Sequence, residues 1–451
     1  MMLIECICYN TQEAYITMNK DVFIIGFMLF ALFFGAGNLI YPPVLGMEAG
    51  TSYPGAIIGF VITGVGLPIL AVTAIAFVKN DARELANRVH PTFGIIFTSV
   101  IYLAIGPFFG IPRAATVGFE MSVEPFLKSH TSSIALLLFT SIFFLFVYIV
   151  CLNPSKMVDR IGQYLTPILL ISIVGLIVGG FFLLDSPQAS PIKKYQESPL
   201  FTGFVEGYLT MDAIAALAFG IIVVNAFKER GVENRSDLVQ ATLKAGAITG
   251  IGLIAVYSSI GWIGTKMANS GTYTNGGEIL SAAANSMFGT LGALLLGVIV
   301  TLACFTTSVG LIVACGQFFA KITPISYQWL VLIITIGSFL IANQGLNTII
   351  SISVPVLVFL YPIAIVLILL TFLHKLFHGN QGVYRISILF TAIVSLYDGM
   401  AEFGFDMSAI TPIMEKLPFF QIGLGWLLPA IIGGIIGYLL TKNPSKPFIE
   451  S

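Results

Sequence analysis

Charge is what this chain has least of. Asp, Glu, Lys and Arg make up 10% of its 451 residues, against about 25% in a soluble domain. With a net charge of −1 there is no basic field to hold a polyanion, which excludes nucleic acid as a partner. Histidine is scarcer still: His90, His130, His374 and His378 are the only four, and all stand at the ends of apolar runs. No His–Asp or paired-acid centre lies inside a run, so the sequence holds no constellation for a membrane-embedded enzyme. Cys6-x-Cys8 has no second pair or histidine cluster to complete a metal site. Cys151, Cys304 and Cys315 sit in apolar segments as small hydrophobes. Met1–Thr17 carries two acids and no basic residue, so it lacks the positive n-region of a signal peptide.

What the chain has in quantity is hydrophobic: 57% of residues, with 45 Gly and 37 Phe. That mixture suits packed membrane helices, where small residues let backbones approach. About 20 apolar residues cross a bilayer as a helix. On that measure twelve spans are expected, centred near Phe34, Pro68, Ile105, Phe143, Ile173, Ala216, Ile251, Cys304, Ile334, Leu360, Ile393 and Ile431. The segment from Tyr384 to Ile410 carries Asp398, Glu402 and Asp406, which puts its second half at the interface. With both termini in the cytoplasm, fifteen of the 21 Lys and Arg fall on the inside, as the positive-inside rule requires. The expected organisation is an N-terminal extension (1–17), one transmembrane domain (18–441) and a cytoplasmic tail (442–451). The longest polar connections are 185–202, 227–238 and 265–288. The last contains Asn275-Gly276-Gly277-Glu278 and reads as a short extracellular hairpin of helices.

One apolar run is interrupted where a plain anchor would carry Leu and Ile. It reads Leu32-Phe33-Phe34-Gly35-Ala36-Gly37-Asn38-Leu39-Ile40-Tyr41-Pro42-Pro43. Gly costs about 1 kcal/mol in a helix interior and Pro about 3. Such an interruption persists at membrane depth only where protein or a water-lined cavity covers the freed backbone. The sixth run, from Gly207 to Gly220, holds Thr210 and Asp212. The first and sixth spans occupy matching places if spans one to five and six to ten form two repeats (about 20–184 and 203–373), with extra helices at about 384–441. Five is odd, so the second repeat enters from the opposite face, giving an inverted repeat. Paired interruptions of that kind point to a transport site. Gly207 and Gly220 also admit a plainer reading, close helix packing.

The string Phe33-Phe34-Gly35-Ala36-Gly37-Asn38-Leu39-Ile40-Tyr41-Pro42-Pro43 resembles the signature of bacterial branched-chain amino acid carriers, cation symporters for leucine, isoleucine and valine. Leu209-Thr210-Met211-Asp212-Ala213 with Ala218-Phe219-Gly220, Asn153-Pro154, and Ala303-Cys304-Phe305-Thr306-Thr307-Ser308-Val309-Gly310-Leu311 match in the same order. The resemblance covers about Met18 to Thr441. It implies an all-α polytopic membrane protein of LeuT type: a five-plus-five inverted repeat with two additional C-terminal helices, in a bacterial plasma membrane.

A break near Gly35–Asn38 leaves two half-helices. Free N–H groups around Ala36, Gly37 and Asn38 attract an anion such as an amino acid carboxylate, with no Arg required. Free carbonyls at the end of the inner half suit a hard cation such as Na⁺. The expected substrate contacts are Gly35, Ala36, Gly37, Asn38, Asp212, Ile214 and Phe219, with Phe34 also a candidate for the apolar pocket. The resemblance assigns a sodium site to Ala31, Phe34, Ala303, Thr306 and Thr307; a register slip of one brings in Cys304 and Ser308. These hydroxyls are equally open to bonding back to their own helix. Asn38 is read as a ligand contact, a helix N-cap or both. Asp212 binds a cation, accepts a proton or pairs with a substrate ammonium, or else lies near the outer surface. Arg113 is read as an interfacial or gate residue, or as a snorkelling side chain. Pro42 and Pro43 are read as shaping the first turn of the outer half-helix. The expected partners are a branched-chain amino acid, Na⁺ and the lipid bilayer, with no cofactor and no obligatory protein partner. The rival readings are proton coupling through Asp212 and a LeuT-type carrier for another small solute.

Overall fold

The computed structural model describes residues 20–78, 81–127, 132–152 and 157–441. The expected extension 1–17, the tail 442–451, Cys6-x-Cys8 and Asn153-Pro154 lie outside the described residues. Among the described residues the chain is helical, with no strand. Helix α1 (20–33) stops at Phe34–Gly35, and α2 (Ala36–Ala49) starts one residue later. Then follow α3 (Tyr53–Val61), a π-helical turn (Ile62–Gly66), α4 (Leu67–Val78) and the short α5 (Ala82–Asn87). The third expected span is α6 (Pro91–Leu103), a π-helical segment (Ala104–Phe108) and α7 (Gly110–Ser122). Next come α8 (Ser132–Cys151), α9 (Met157–Leu183), α10 (Pro199–Glu206) and α11 (Asp212–Lys228). The chain continues through α12 (Arg235–Met267), α13 (Gly276–Ile322), α14 (Tyr327–Ala342), α15 (Leu346–Phe372), α16 (Gln381–Glu402), α17 (Thr411–Met414) and α18 (Leu427–Leu440).

Among the described residues seven helices are long and apolar enough to cross a membrane, or eight if the pair bent by 47° around Met211 is one span. Helical or interrupted-helical segments cover all twelve centres expected from hydropathy. The outside of the bundle is greasy: Ile171 and Phe182 are 72% and 77% exposed. On a soluble protein such a surface would aggregate; in a bilayer it faces acyl chains.

Two expectations about connections change. The 265–288 stretch is not a hairpin of helices. Residues 276–288 form one helical arm that runs into the rest of α13 through Gly289, whose φ of 66° breaks the helix. Pro42 and Pro43 are not in a first turn; they are the seventh and eighth residues of α2. Their missing N–H groups leave the Asn38 and Leu39 carbonyls without helical donors. The α2 backbone is then held by close packing on α12. A Cβ at Gly264 would lie 2.1 Å from the Pro43 carbonyl oxygen, and one at Gly46 would lie 1.8 Å from that of Gly261. Only glycine permits that approach.

The connection at 185–202 ties the first interrupted span to the sixth. Backbone bonds run from Thr51 N–H to the Ala189 carbonyl (3.0 Å) and from Ile192 N–H to the Glu48 carbonyl (2.9 Å). Lys194 then bridges Glu48 at 2.7 Å and Glu206 at 2.8 Å. The C-terminal ends of α2 and α10 are therefore clasped by the same loop.

Candidate functional site

The site forms where three interruptions meet. In the first, Gly35 is extended (φ −131°, ψ −161°). Its N–H donates to Asn38 Oδ1 (3.2 Å), so the Ala31 carbonyl loses its normal helical donor. Asn38 thus caps from the third position of α2, reaching back as the second half of a capping box does, and not from the N-cap position. The N–H groups of Ala36 and Gly37 open the new helix without helical acceptors.

In the sixth span, a 3₁₀ turn (Gly207–Thr210) ends at Met211, whose φ of 68° is left-handed. That conformation costs a non-glycine residue roughly 1–2 kcal/mol. It brings the Thr210 carbonyl beside Gly37 of the first break and starts α11 at Asp212. Gly220, inside α11, packs on Ile75 of α4, which is the plainer role. The third interruption was not expected. Gly106 (φ −86°, ψ −121°) and Pro107 break the third span, and α7 continues to Ser122.

Side chains lock the breaks together. Asp212, buried, accepts from Asn38 Nδ2 (2.8 Å) and from the Tyr257 hydroxyl (2.7 Å). Asn38 Nδ2 also donates to the Tyr257 hydroxyl. Asp212 is therefore not near the outer surface; it joins the first, sixth and seventh spans. Arg113 is neither interfacial nor snorkelling. The third span is longer than hydropathy suggests, so Arg113 falls in the opening turn of α7, 3% exposed. Its Nη1 donates to the Leu209 carbonyl (2.9 Å) and the Tyr41 hydroxyl (3.3 Å), and its Nη2 to the Thr210 carbonyl (3.0 Å). A Cβ at Gly37 would lie 2.6 Å from the Thr210 oxygen and 2.7 Å from Arg113 Nη2, so the start of α2 reaches this point only as glycine.

These groups line one cavity between the interruptions. Of the residues expected to contact substrate, Gly35, Ala36, Gly37, Asn38, Asp212 and Phe219 line it. Ile214 does not. The cavity face of α11 is Asp212, Ala215 and Phe219, spaced as one helical stripe, and Ile214 falls off that stripe into the core. Phe34 is also absent from the lining. Its ring stacks on Phe30, and Phe33, 6.2 Å from Phe219, takes the aromatic place.

Of the expected ion ligands, Thr307 donates to the Phe34 carbonyl at 3.4 Å and packs against Gly35. Thr306 bonds back to the Ala303 carbonyl (2.8 Å). Ser308 and Cys304 are fully buried. Ser308 is seven residues from both Thr301, which bonds Gly118, and Cys315, which bonds Tyr102. Its face of α13 is turned to the third span, away from the Phe34 carbonyl.

The sequence reading had Arg113 as an interfacial or gate residue and not as part of this cavity, and it singled out neither Ile105 and Leu311, which line it, nor Tyr257, which bonds Asp212. The string Gly106-Pro107-Phe108-Phe109-Gly110-Ile111-Pro112 carried the signal for the third break. Nothing in the sequence around Tyr257 singles it out.

Residues 18–444 match the family model described as branched-chain amino acid transport protein. The chain belongs to that family. It is 46% identical to the branched-chain amino acid permease BraB of Bacillus subtilis (strain 168), over 96% of this chain and 98% of the permease. It is 48% identical to the permease BrnQ of the same organism, over 94% and 98%. The family's relatives are permeases and carriers, and this chain is a multi-pass transporter of branched-chain amino acids. Solved structures give the fold. The closed form of Mhp1, a nucleobase-cation-symport-1 family transporter, aligns with a TM-score of 0.57 at 14% identity over 94% of both chains. A Na⁺-coupled sialic acid symporter aligns with 0.60 at 13% identity, over 94% of this chain and 91% of that one.

Proposed function

We propose that this transporter takes up leucine, isoleucine and valine together with Na⁺ by alternating access, with twelve crossings and both termini in the cytoplasm. The observation that carries the reading is the meeting of the interrupted first and sixth spans around one buried cavity. The substrate carboxylate faces the N–H groups of Ala36 and Gly37, and its ammonium faces Asp212. Phe33, Phe219, Ile105 and Leu311 hold the branched side chain. Discrimination by an apolar wall is worth only about 1–3 kcal/mol per methylene, so the three amino acids share the carrier. Na⁺ takes the Ala31, Phe34 and Ala303 carbonyls with the Thr306 and Thr307 hydroxyls. The Ala31 carbonyl freed by Asn38, and the approach of Thr307 to the Phe34 carbonyl, support this placement. One Na⁺ crossing about 100 mV contributes roughly 2.3 kcal/mol, about a 50-fold accumulation.

Asp212 favours a second reading, proton coupling, because an ionisable group at membrane depth is a candidate proton site. Leucine uptake into proteoliposomes separates the two. An imposed Na⁺ gradient at fixed pH is expected to drive accumulation, and a proton gradient without Na⁺ is not. The reverse result would assign the coupling to Asp212.

A further inference from the structure

We infer that the Arg113 guanidinium clamps the carboxylate of the bound amino acid and makes the carrier select zwitterions. This rests on the carrier reading and sharpens it, since that reading gave the carboxylate only backbone N–H groups. The donor count comes first. A guanidinium has five N–H donors, of which Leu209, Thr210 and Tyr41 take three. Nε is buried without a partner, and one N–H of Nη2 also remains. A carboxylate accepts two such N–H groups at once. Position comes second. Nη2 stands beside Gly37, and both residues line the cavity, which puts the guanidinium at the N-terminal end of α2.

Charge comes third. Lys194 is paired with Glu48 and Glu206, and Arg230 with Asp21. Arg113 and Asp212 line one cavity without joining. A buried charge lacking a counter-charge is costly. A zwitterion laid between them, carboxylate on Arg113 and ammonium on Asp212, answers both. An amine or an amide answers only one.

The test uses the purified full chain, with leucine and leucinamide titrated by ligand-induced shifts in melting temperature. Leucinamide keeps the side chain and ammonium but carries a neutral amide. Wild type is expected to bind leucine at least ~100-fold more tightly than leucinamide, and in Arg113→Gln the ratio is expected to fall at least ~10-fold, because leucine alone loses affinity. An undiminished ratio in Arg113→Gln overturns the proposal. If that variant does not purify as a folded protein, Arg113→Lys decides. Retained charge predicts a ratio above ~10; equal loss for both ligands marks a purely structural arginine and overturns it. Leucinamide competing as well as leucine in wild type refutes the clamp and leaves the carrier reading standing. Wild type that binds no leucine refutes both.

Discussion

Asp212, Asn38 and Tyr257 are the residues on which the site's shape turns, because each holds the others and none is free to relax alone. Asp212 accepts both bonds on one oxygen, so removing a donor leaves a buried carboxylate under-satisfied. Asn38→Ala also releases the Gly35 N–H. It is expected to destabilise the protein by about 1–3 kcal/mol, read as a lower melting midpoint, and to weaken leucine binding in parallel. Tyr257→Phe keeps the edge-on contact with Phe60 and removes only the hydroxyl. A loss of leucine affinity with a smaller drop in melting midpoint is expected, and unchanged binding would deny that the hydroxyl shapes the site. Much of this was legible. Gly35, Gly37 and Asn38 announce themselves as polar or small residues inside an apolar run, and Asp212 as an acid at membrane depth. Tyr257 was not legible, since a tyrosine in an amphipathic segment is ordinary. Arg113 was legible as a residue but misplaced, because hydropathy measured the third span too short.

Between elements, stability depends on how near backbones come. The α2–α12 contact admits no side-chain atom at Gly46, where a Cβ would fall 1.8 Å from a carbonyl oxygen. Gly46→Ala is expected to cost about 1–3 kcal/mol or more through overpacking. Gly66, in the π-helical turn before α4, has nothing within 4 Å of an added Cβ. Gly66→Ala is expected to be neutral or to stabilise by up to about 1 kcal/mol. The fraction remaining monodisperse after heating separates them, and equal behaviour would contradict the packing account. The loop clasp differs in kind. Lys194 is half-exposed between Glu48 and Glu206, so Lys194→Ala is expected to shift stability by only about 0–1 kcal/mol, less in high salt. Helix breaks at Gly35 and around Asp212 were readable from Gly, Pro and acid in the wrong company. The break at Gly106 had the same composition, but that composition alone does not say whether a glycine bends a helix or lets a neighbour approach. Gly220 does the second and Gly289 the first.

Across the whole molecule, scarcity of charge and abundance of Phe and Gly were enough to give a polytopic helical bundle, and the family likeness supplied its repeat. Side-chain placement on a given stripe needed the structure. Ile214 and Phe34 are apolar and close to the breaks in sequence, yet each points a fraction of a turn away from the cavity that Ala215 and Phe33 line. The same angular logic separates Thr307 from Ser308. The account's central claim is that solute and ion share the backbone bared at Phe34–Gly35, one on each side, so the two must bind cooperatively and reciprocally. Leucine affinity of the purified protein, measured with and without Na⁺ in wild type and in Thr307→Ala, tests it most directly. Na⁺ is predicted to tighten leucine binding by at least ~10-fold in wild type and by under ~2-fold in the variant. Leucine binding indifferent to Na⁺ in wild type, or equally Na⁺-dependent in Thr307→Ala, would contradict the account.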